Sequence, residues 1–108
     1  MLGAVELEGE AMIVLMAEYY TREGKDDEVA AVLREMAAFC NSGEEPGCAL
    51  YIVNRSVDDA RRFRLYEQYY DQPSLEAHVE TDMFKTKILG TVVPLLESRE
   101  RSFWTVVE

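Results

Sequence analysis

The chain has 108 residues, enough for one domain with a small core. Its 21 acidic residues outnumber 11 basic ones, which gives a net charge of −10 and a pI of about 4.5. An acidic surface repels phosphate backbones and anionic lipids, so we predict a protein that binds neither nucleic acid nor membranes.

Residues 1–11 form an acidic extension with no clear hydrophobic period, and we predict a single domain over 12–108. The segment Met12–Tyr20 is rich in β-formers and nearly continuous in apolar character, which is typical of a strand covered on both faces. The segment Lys25–Phe39 carries apolar residues at the three- and four-residue spacing of an amphipathic helix. Acidic residues at Asp26–Glu28 suit the first turn of that helix.

The two cysteines leave two states open. Cys40 and Cys48 flank a predicted turn, so they form either a disulfide across it or two free thiols, and we favour the thiols and a reducing compartment. The apolar run Ala11–Ala17 is too short to span a bilayer, and no basic residue precedes it. We therefore expect a cytoplasmic protein.

Two further strands follow the turn, at Cys48–Ser56 and Arg62–Tyr70. The short polar link between them predicts an antiparallel hairpin. In the second of these strands, alternate residues point to one face. That face carries Phe63, Leu65, Glu67 and Tyr69.

The last third of the chain predicts a short helix, a longer irregular helix and a closing strand at Arg101–Val107. Ser74 is placed to cap the short helix. Gly90 and Pro94 interrupt the distal helical pattern, so we expect an irregular backbone there.

The resulting order β-α-β-β-α-β predicts a ferredoxin-like α+β fold, a four-stranded antiparallel sheet with its helices on one face. The first and third strands carry apolar or aromatic groups on both faces, and the helices cover only one. The simplest cover for the other face is a second copy of the chain in a two-fold dimer.

Three segments resemble the antibiotic biosynthesis monooxygenase domain family. They are EPGCALYIVNRS (45–56), RFRLYEQYYDQPSLEAHVETDMFK (62–85) and PLLES (94–98), and the resemblance extends over roughly 12–108. It implies a homodimer whose sheets pack face to face as a dimeric α+β barrel. It also implies a pocket in each subunit between the sheet and the helices.

The resemblance further implies a cofactor-independent monooxygenase that oxidises a small phenolic or quinol-type substrate, with O2 as co-substrate and without metal, flavin or haem. A haem-degrading branch of the family carries an iron-binding histidine on the long helix, and Phe84–Val93 contains no histidine. Two alternatives stay open. One is an isomerase or degradation enzyme for a small carbonyl compound, and the other is a non-catalytic dimeric ligand-binding module.

His78 is the only histidine, and imidazole titrates near neutral pH, so we predict that it is the catalytic base. Glu67 is expected either to support His78 or bind substrate, or to form a structural salt bridge with an arginine such as Arg55. Aromatic residues at suitable positions are predicted either to line a substrate pocket or to belong to the core. They are Tyr19, Tyr51, Tyr69, Phe84 and Trp104. No metal ligands are predicted.

Overall fold

The computed structural model describes residues 12–107, so the predicted extension 1–11 lies outside the described residues. The order of elements confirms the predicted ferredoxin-like α+β fold. The elements are β1 (Ile13–Thr21), α1 (Asp26–Asn41), β2 (Cys48–Arg55), β3 (Arg62–Tyr69), α2 (Gln72–Val79), a π-helix (Phe84–Val92), a 3₁₀ turn (Val93–Leu95) and β4 (Leu96–Thr105).

The four strands form one antiparallel sheet in the order β2-β3-β1-β4, so β1 and β3 are central. Leu15 on β1 pairs with Glu67 on β3 and with Phe103 on β4. Directly paired residues point to the same face, which places these three side chains in one row beneath the helices. The alternation predicted for β3 is confirmed, because Phe63, Leu65, Glu67 and Tyr69 are all buried.

The helices cover the face that carries this row. Helix α1 buries one stripe, formed by Val29, Leu33, Met36 and Cys40. Its acidic first turn binds Arg55 of β2, whose guanidinium lies 2.5 Å from the carboxylate of Asp26. The expected irregular helix is confirmed as the π-helix and 3₁₀ turn before β4. None of the helices in 12–107 is long and apolar enough to cross a bilayer.

Two predicted boundaries are wrong. Strand β4 begins at Leu96 and not at Arg101, because an edge strand tolerates charged residues and its first half therefore shows no apolar alternation. Asp71 and not Ser74 caps α2. The Asp71 carboxylate accepts a hydrogen bond from the Ser74 amide at 2.9 Å, and Pro73 lies in the first turn, where its missing N–H costs nothing.

The other face of the sheet is not covered by any element of 12–107. It exposes large apolar or aromatic side chains with exposed fractions between 37% and 53%. These are Leu50, Ile52, Tyr70 and Trp104. Contiguous apolar surface of this kind is typical of a protein interface.

Candidate active site

A buried polar cluster lies between the sheet and α2. His78 is fully buried, and its Nδ1 lies 2.8 Å from Glu45 Oε2. A carboxylate oxygen accepts hydrogen bonds, so this contact places a proton on Nδ1. On the other side of the ring, Nε2 lies 3.8 Å from Glu67 Oε1 and has no hydrogen-bond partner in the described part of the chain. The structure therefore brings together the predicted base and its predicted supporting carboxylate.

Glu45 reaches His78 because the turn before β2 packs closely on α2. A Cβ atom on Gly47 would lie 2.5 Å from Ser74 Cβ, so only glycine fits at this approach. The Gly47 carbonyl accepts a hydrogen bond from the Tyr70 amide at 3.1 Å, which fixes the turn to the end of β3. Sequence reasoning missed Glu45, although the EPGC turn that contains it was one of the segments carrying the resemblance.

Glu67 forms its short hydrogen bond with a tyrosine and not with an arginine. The Tyr69 hydroxyl donates to Glu67 Oε1 at 2.6 Å, while Arg55 binds the first turn of α1. The alternative of a salt bridge between Glu67 and Arg55 is therefore wrong. Burial raises the pKa of Glu67, and the nearby His78 and the hydrogen bond from Tyr69 oppose that rise. Burial, followed by the Glu67 charge, raises the pKa of the Tyr69 hydroxyl.

Three of the predicted pocket aromatics pack around His78. The ring centroids of Tyr51, Tyr69 and Phe84 lie 6.0, 5.1 and 5.2 Å from that of His78. Trp104 lies on the other face of the sheet, where it is 53% exposed and donates to Ser102 Oγ. Trp104 therefore does not line a pocket between this sheet and its helices, because it pairs with Val14 and points away from them.

A cavity of about 200 Å³ opens beside this cluster, between α2 and the strands β1 and β4. Its wall is mainly apolar and includes one guanidinium. The lining residues are Leu15, Gln72, Leu75, Glu76, Val79, Arg101 and Phe103. His78 and Glu67 do not line the cavity themselves. Their neighbours do: Leu75 and Val79 lie on either side of His78 in α2, and Leu15 is the register partner of Glu67.

Arg101 is a site residue that sequence reasoning missed. It pairs with Ala17 across the sheet and so shares its face with Phe103. Alternation within β4 is the signal that identifies it, because residues 99, 101 and 103 share one face of the strand.

Tyr19 lies on the same face of the sheet, with the guanidinium of Arg99 6.0 Å from its ring centroid. Burial and the Glu67 charge raise the pKa of Tyr19 to about 12, and Arg99 and Arg101 oppose that rise. The hydroxyl is thus a neutral hydrogen-bond donor at physiological pH. The Arg99 Nε is buried and makes no hydrogen bond to any of the residues 12–107, so β4 offers one donor for an anion on this side of the layer.

The cysteines are free thiols, as we favoured from the sequence. Cys40 Sγ donates to Glu45 Oε1 at 3.3 Å. Donor atoms of Cys40, Glu45 and His78 all lie within 4.8 Å of one another, so these residues are the candidates in 12–107 for holding a metal ion. They are far apart in sequence, which explains why sequence spacing gave no sign of them.

Comparisons with known proteins identify the family. The family model for antibiotic biosynthesis monooxygenases matches residues 12–87. A Caulobacter crescentus structure, provisionally named an antibiotic biosynthesis monooxygenase, is 26% identical with a TM-score of 0.83, and 93% of each chain is covered. A similarly named Nitrosomonas europaea structure is 25% identical with a TM-score of 0.82, over 95% of this chain and 96% of that one.

The protein SO0527 from Shewanella oneidensis is 26% identical with a TM-score of 0.80, over 90% of this chain and 92% of the other. No curated protein matches the chain. The family model covers well over half of the sequence and the solved structures extend the likeness through β4. The chain belongs to the antibiotic biosynthesis monooxygenase family.

Proposed function

We propose that the protein is a cofactor-independent monooxygenase that oxidises a small phenolic or quinol-type substrate with O2. The observation that carries this proposal is the cavity between α2 and the sheet in a member of this family. Its apolar walls suit an aromatic ring, and Arg101 places one positive charge at a ring substituent. A phenolate oxygen is the substituent that this charge would stabilise.

The reaction needs an electron-rich anion in a dry site. Loss of the hydroxyl proton produces the anion, which passes one electron to O2, and the two radicals combine to form the new carbon–oxygen bond. Loss of water from the resulting peroxide gives a quinone-type product. Leu75 and Phe103 would orient the ring, and the guanidinium of Arg101 would lower the energy of the anion.

We propose His78, supported by Glu67, as the base. The geometry that supports this role is the position of Nε2, which lies on the Glu67 side of the ring and makes no hydrogen bond within residues 12–107. Burial raises the pKa of Glu67, which makes its carboxylate a better proton acceptor than an exposed one. Leu15 and Leu75 separate His78 and Glu67 from the cavity. A shift of these two side chains would let the proton pass from the substrate hydroxyl to His78.

O2 uptake with substituted hydroquinones and anthrones tests the reaction. Arg101→Gln should raise KM at least tenfold for substrates that bind as anions, because a hydrogen bond to a charged group contributes roughly 1.5–3 kcal/mol. Arg62→Gln is the matched control, since the Arg62 side chain is 62% exposed on the sheet away from this cavity. Absence of uptake with every such substrate contradicts the proposed reaction. Full activity in His78→Gln contradicts the base role alone.

We also propose that the protein is a homodimer formed through the uncovered face of the sheet. Four large apolar or aromatic side chains on that face are between 37% and 53% exposed in the single chain, which is costly unless a partner covers them. Light scattering at micromolar concentration should give twice the mass of the chain, and a monomer at that concentration contradicts the proposal.

One observation favours the second candidate, a non-catalytic dimeric ligand-binding module. Tyr69 and Phe84 pack directly on a fully buried His78, so the imidazole is enclosed by side chains where a catalytic base would meet substrate. Under this alternative, calorimetry detects binding of a phenol in the cavity, Arg101→Gln weakens it, and no O2 is consumed.

A further inference from the structure

The buried cluster around His78 contains more acidic than basic groups. Glu45 and Glu67 are 6% and 3% exposed, and in the described part of the chain the ion-pair partner of both is His78. One imidazole cannot compensate two buried carboxylates if both are ionised, and uncompensated buried charge is costly. A bound divalent cation in this cluster would reduce the imbalance even when the thiol of Cys40 is ionised.

Three different elements bring metal-binding atoms to one point. Cys40 comes from the last turn of α1, Glu45 from the turn before β2 and His78 from α2. The Glu45 carboxylate lies between the other two, 3.3 Å from Cys40 Sγ and 2.8 Å from His78 Nδ1. In a tetrahedral zinc site, bonds of 2.0–2.3 Å separate neighbouring ligand atoms by about 3.5 Å. Two of the three pairs are therefore near the required spacing, each through a different oxygen of Glu45, and all three donors lie within 4.8 Å of one another.

The far side of the imidazole supplies the support that such ligands normally have. When Nδ1 binds a metal, the imidazole proton moves to Nε2, and Nε2 is the buried atom that lacks a partner. It lies 3.8 Å from Glu67 Oε1, and Tyr69 holds that oxygen with a hydrogen bond of 2.6 Å. A small closure of this distance would give a carboxylate–histidine–metal arrangement.

An open groove with three acidic residues lies beside the cluster. It has a volume of about 410 Å³ between the turn before β2 and α2, and its mainly apolar lining includes Glu44, Glu45 and Asp71. Glu45 belongs both to this groove and to the cluster, so it connects solvent to the buried donors. Carboxylates along a groove raise the local concentration of cations.

We propose that Cys40, Glu45 and His78 form a binding site for a divalent transition metal of the zinc class, with a fourth position open to water. A thiolate, an imidazole and a carboxylate together suit Zn²⁺ or Co²⁺ and not Mg²⁺ or Ca²⁺. This site is separate from the proposed oxidation. A metal on Nδ1 leaves the proton on Nε2, so His78 cannot act as a base in the metal-bound state.

The test is a Co²⁺ titration of the purified full chain after treatment with a chelator. We expect one Co²⁺ per chain, a thiolate charge-transfer band in the near ultraviolet, and displacement of the Co²⁺ by Zn²⁺. Cys40→Ser should lose the band and Glu45→Gln should bind at least tenfold more weakly. Glu80→Gln is the matched control and should keep the band and the affinity, because the Glu80 side chain is 74% exposed and is not one of the three donors.

Two results would overturn the proposal: no thiolate band in the wild-type protein, or a band that survives Cys40→Ser. X-ray absorption of the zinc-loaded wild-type protein gives a test that needs no variant. It should show one sulfur at about 2.3 Å together with nitrogen and oxygen ligands at about 2.0–2.2 Å. A first shell without sulfur contradicts the assignment. None of these readouts depends on O2 uptake, so this proposal and the proposed oxidation fail independently.

Discussion

Replacing Glu67 with glutamine should change how the stability of the protein depends on pH. Burial raises the pKa of Glu67 above its ordinary value of 4.5, so the folded protein holds this proton at pH values where the unfolded chain has released it. The free energy of unfolding therefore falls as pH rises from about 4.5 through the raised pKa, and becomes level above it. Glu67→Gln keeps the shape of the side chain and removes this dependence.

The slope of the free energy of unfolding against pH sets the size of the difference between Glu67→Gln and wild type. One proton bound by the folded state and not by the unfolded state corresponds to at most about 1.4 kcal/mol per pH unit. Urea denaturation between pH 4 and pH 8, in buffer containing a chelator, measures the free energy of unfolding of both proteins. The difference between Glu67→Gln and wild type should grow with pH in favour of the variant. The hydrogen bond of 2.6 Å from Tyr69 limits the growth, because it stabilises the ionised form.

Loss of one negative charge from an acidic protein is itself a perturbation, so a control is needed. Glu97→Gln removes a charge from a side chain that is 49% exposed and paired with Arg61. Its stability curve should run parallel to that of the wild type. Parallel curves for Glu67→Gln and wild type over the whole pH range would refute the inference that the fold raises the pKa of Glu67.

Three other changes test the packing of the molecule. Gly47→Ala should lower the free energy of unfolding by about 1–3 kcal/mol, because the new Cβ would lie 2.5 Å from Ser74 Cβ and overpack the contact. Adding Ser74→Gly should recover part of this loss in thermal denaturation, and strictly additive effects of the two substitutions would contradict the contact. Tyr69→Phe should cost about 1.5–3 kcal/mol in urea denaturation, because a buried carboxyl group loses its donor, and an unchanged midpoint disagrees with the hydrogen bond. Ile52→Glu should halve the mass measured by light scattering, whereas Val57→Glu, at a side chain that is 98% exposed, should leave it unchanged.

Much of the fold could be predicted from the sequence because its helices and strands show clear periodicity in their apolar residues. Helix α1 combines a regular apolar stripe with an acidic first turn, and β3 alternates strictly between buried and more accessible residues. Strand β4 was the exception. Its first half, Leu96–Glu100, is mostly polar because it lies at an edge, so the pattern that identifies a strand is missing there.

The candidate site was only partly readable. Glu67 and His78 could be placed on facing elements because each belongs to a short element with a predictable face. Glu45 and Cys40 could not, since a turn and the end of a helix have no period that predicts which buried atoms they approach. The contact between Gly47 and Ser74, which aims Glu45 at His78, depends on tertiary packing. The prediction that Trp104 lines the pocket was wrong because Trp104 pairs with Val14 and so lies on the face of the sheet that points away from the helices.

The single histidine also makes the cluster easy to observe in solution. Because the sequence contains one imidazole, a ¹⁵N NMR spectrum of the side chain shows one pair of ring signals that needs no assignment by mutagenesis. The two nitrogens have distinct environments, since Nδ1 is bonded to Glu45 and Nε2 faces Glu67. A pair of signals typical of the Nδ1–H tautomer would report the hydrogen-bonded state described above, and loss of the Nδ1 proton on addition of zinc would report ligation through Nδ1. One residue thus serves as a built-in spectroscopic probe of its own protonation and ligation.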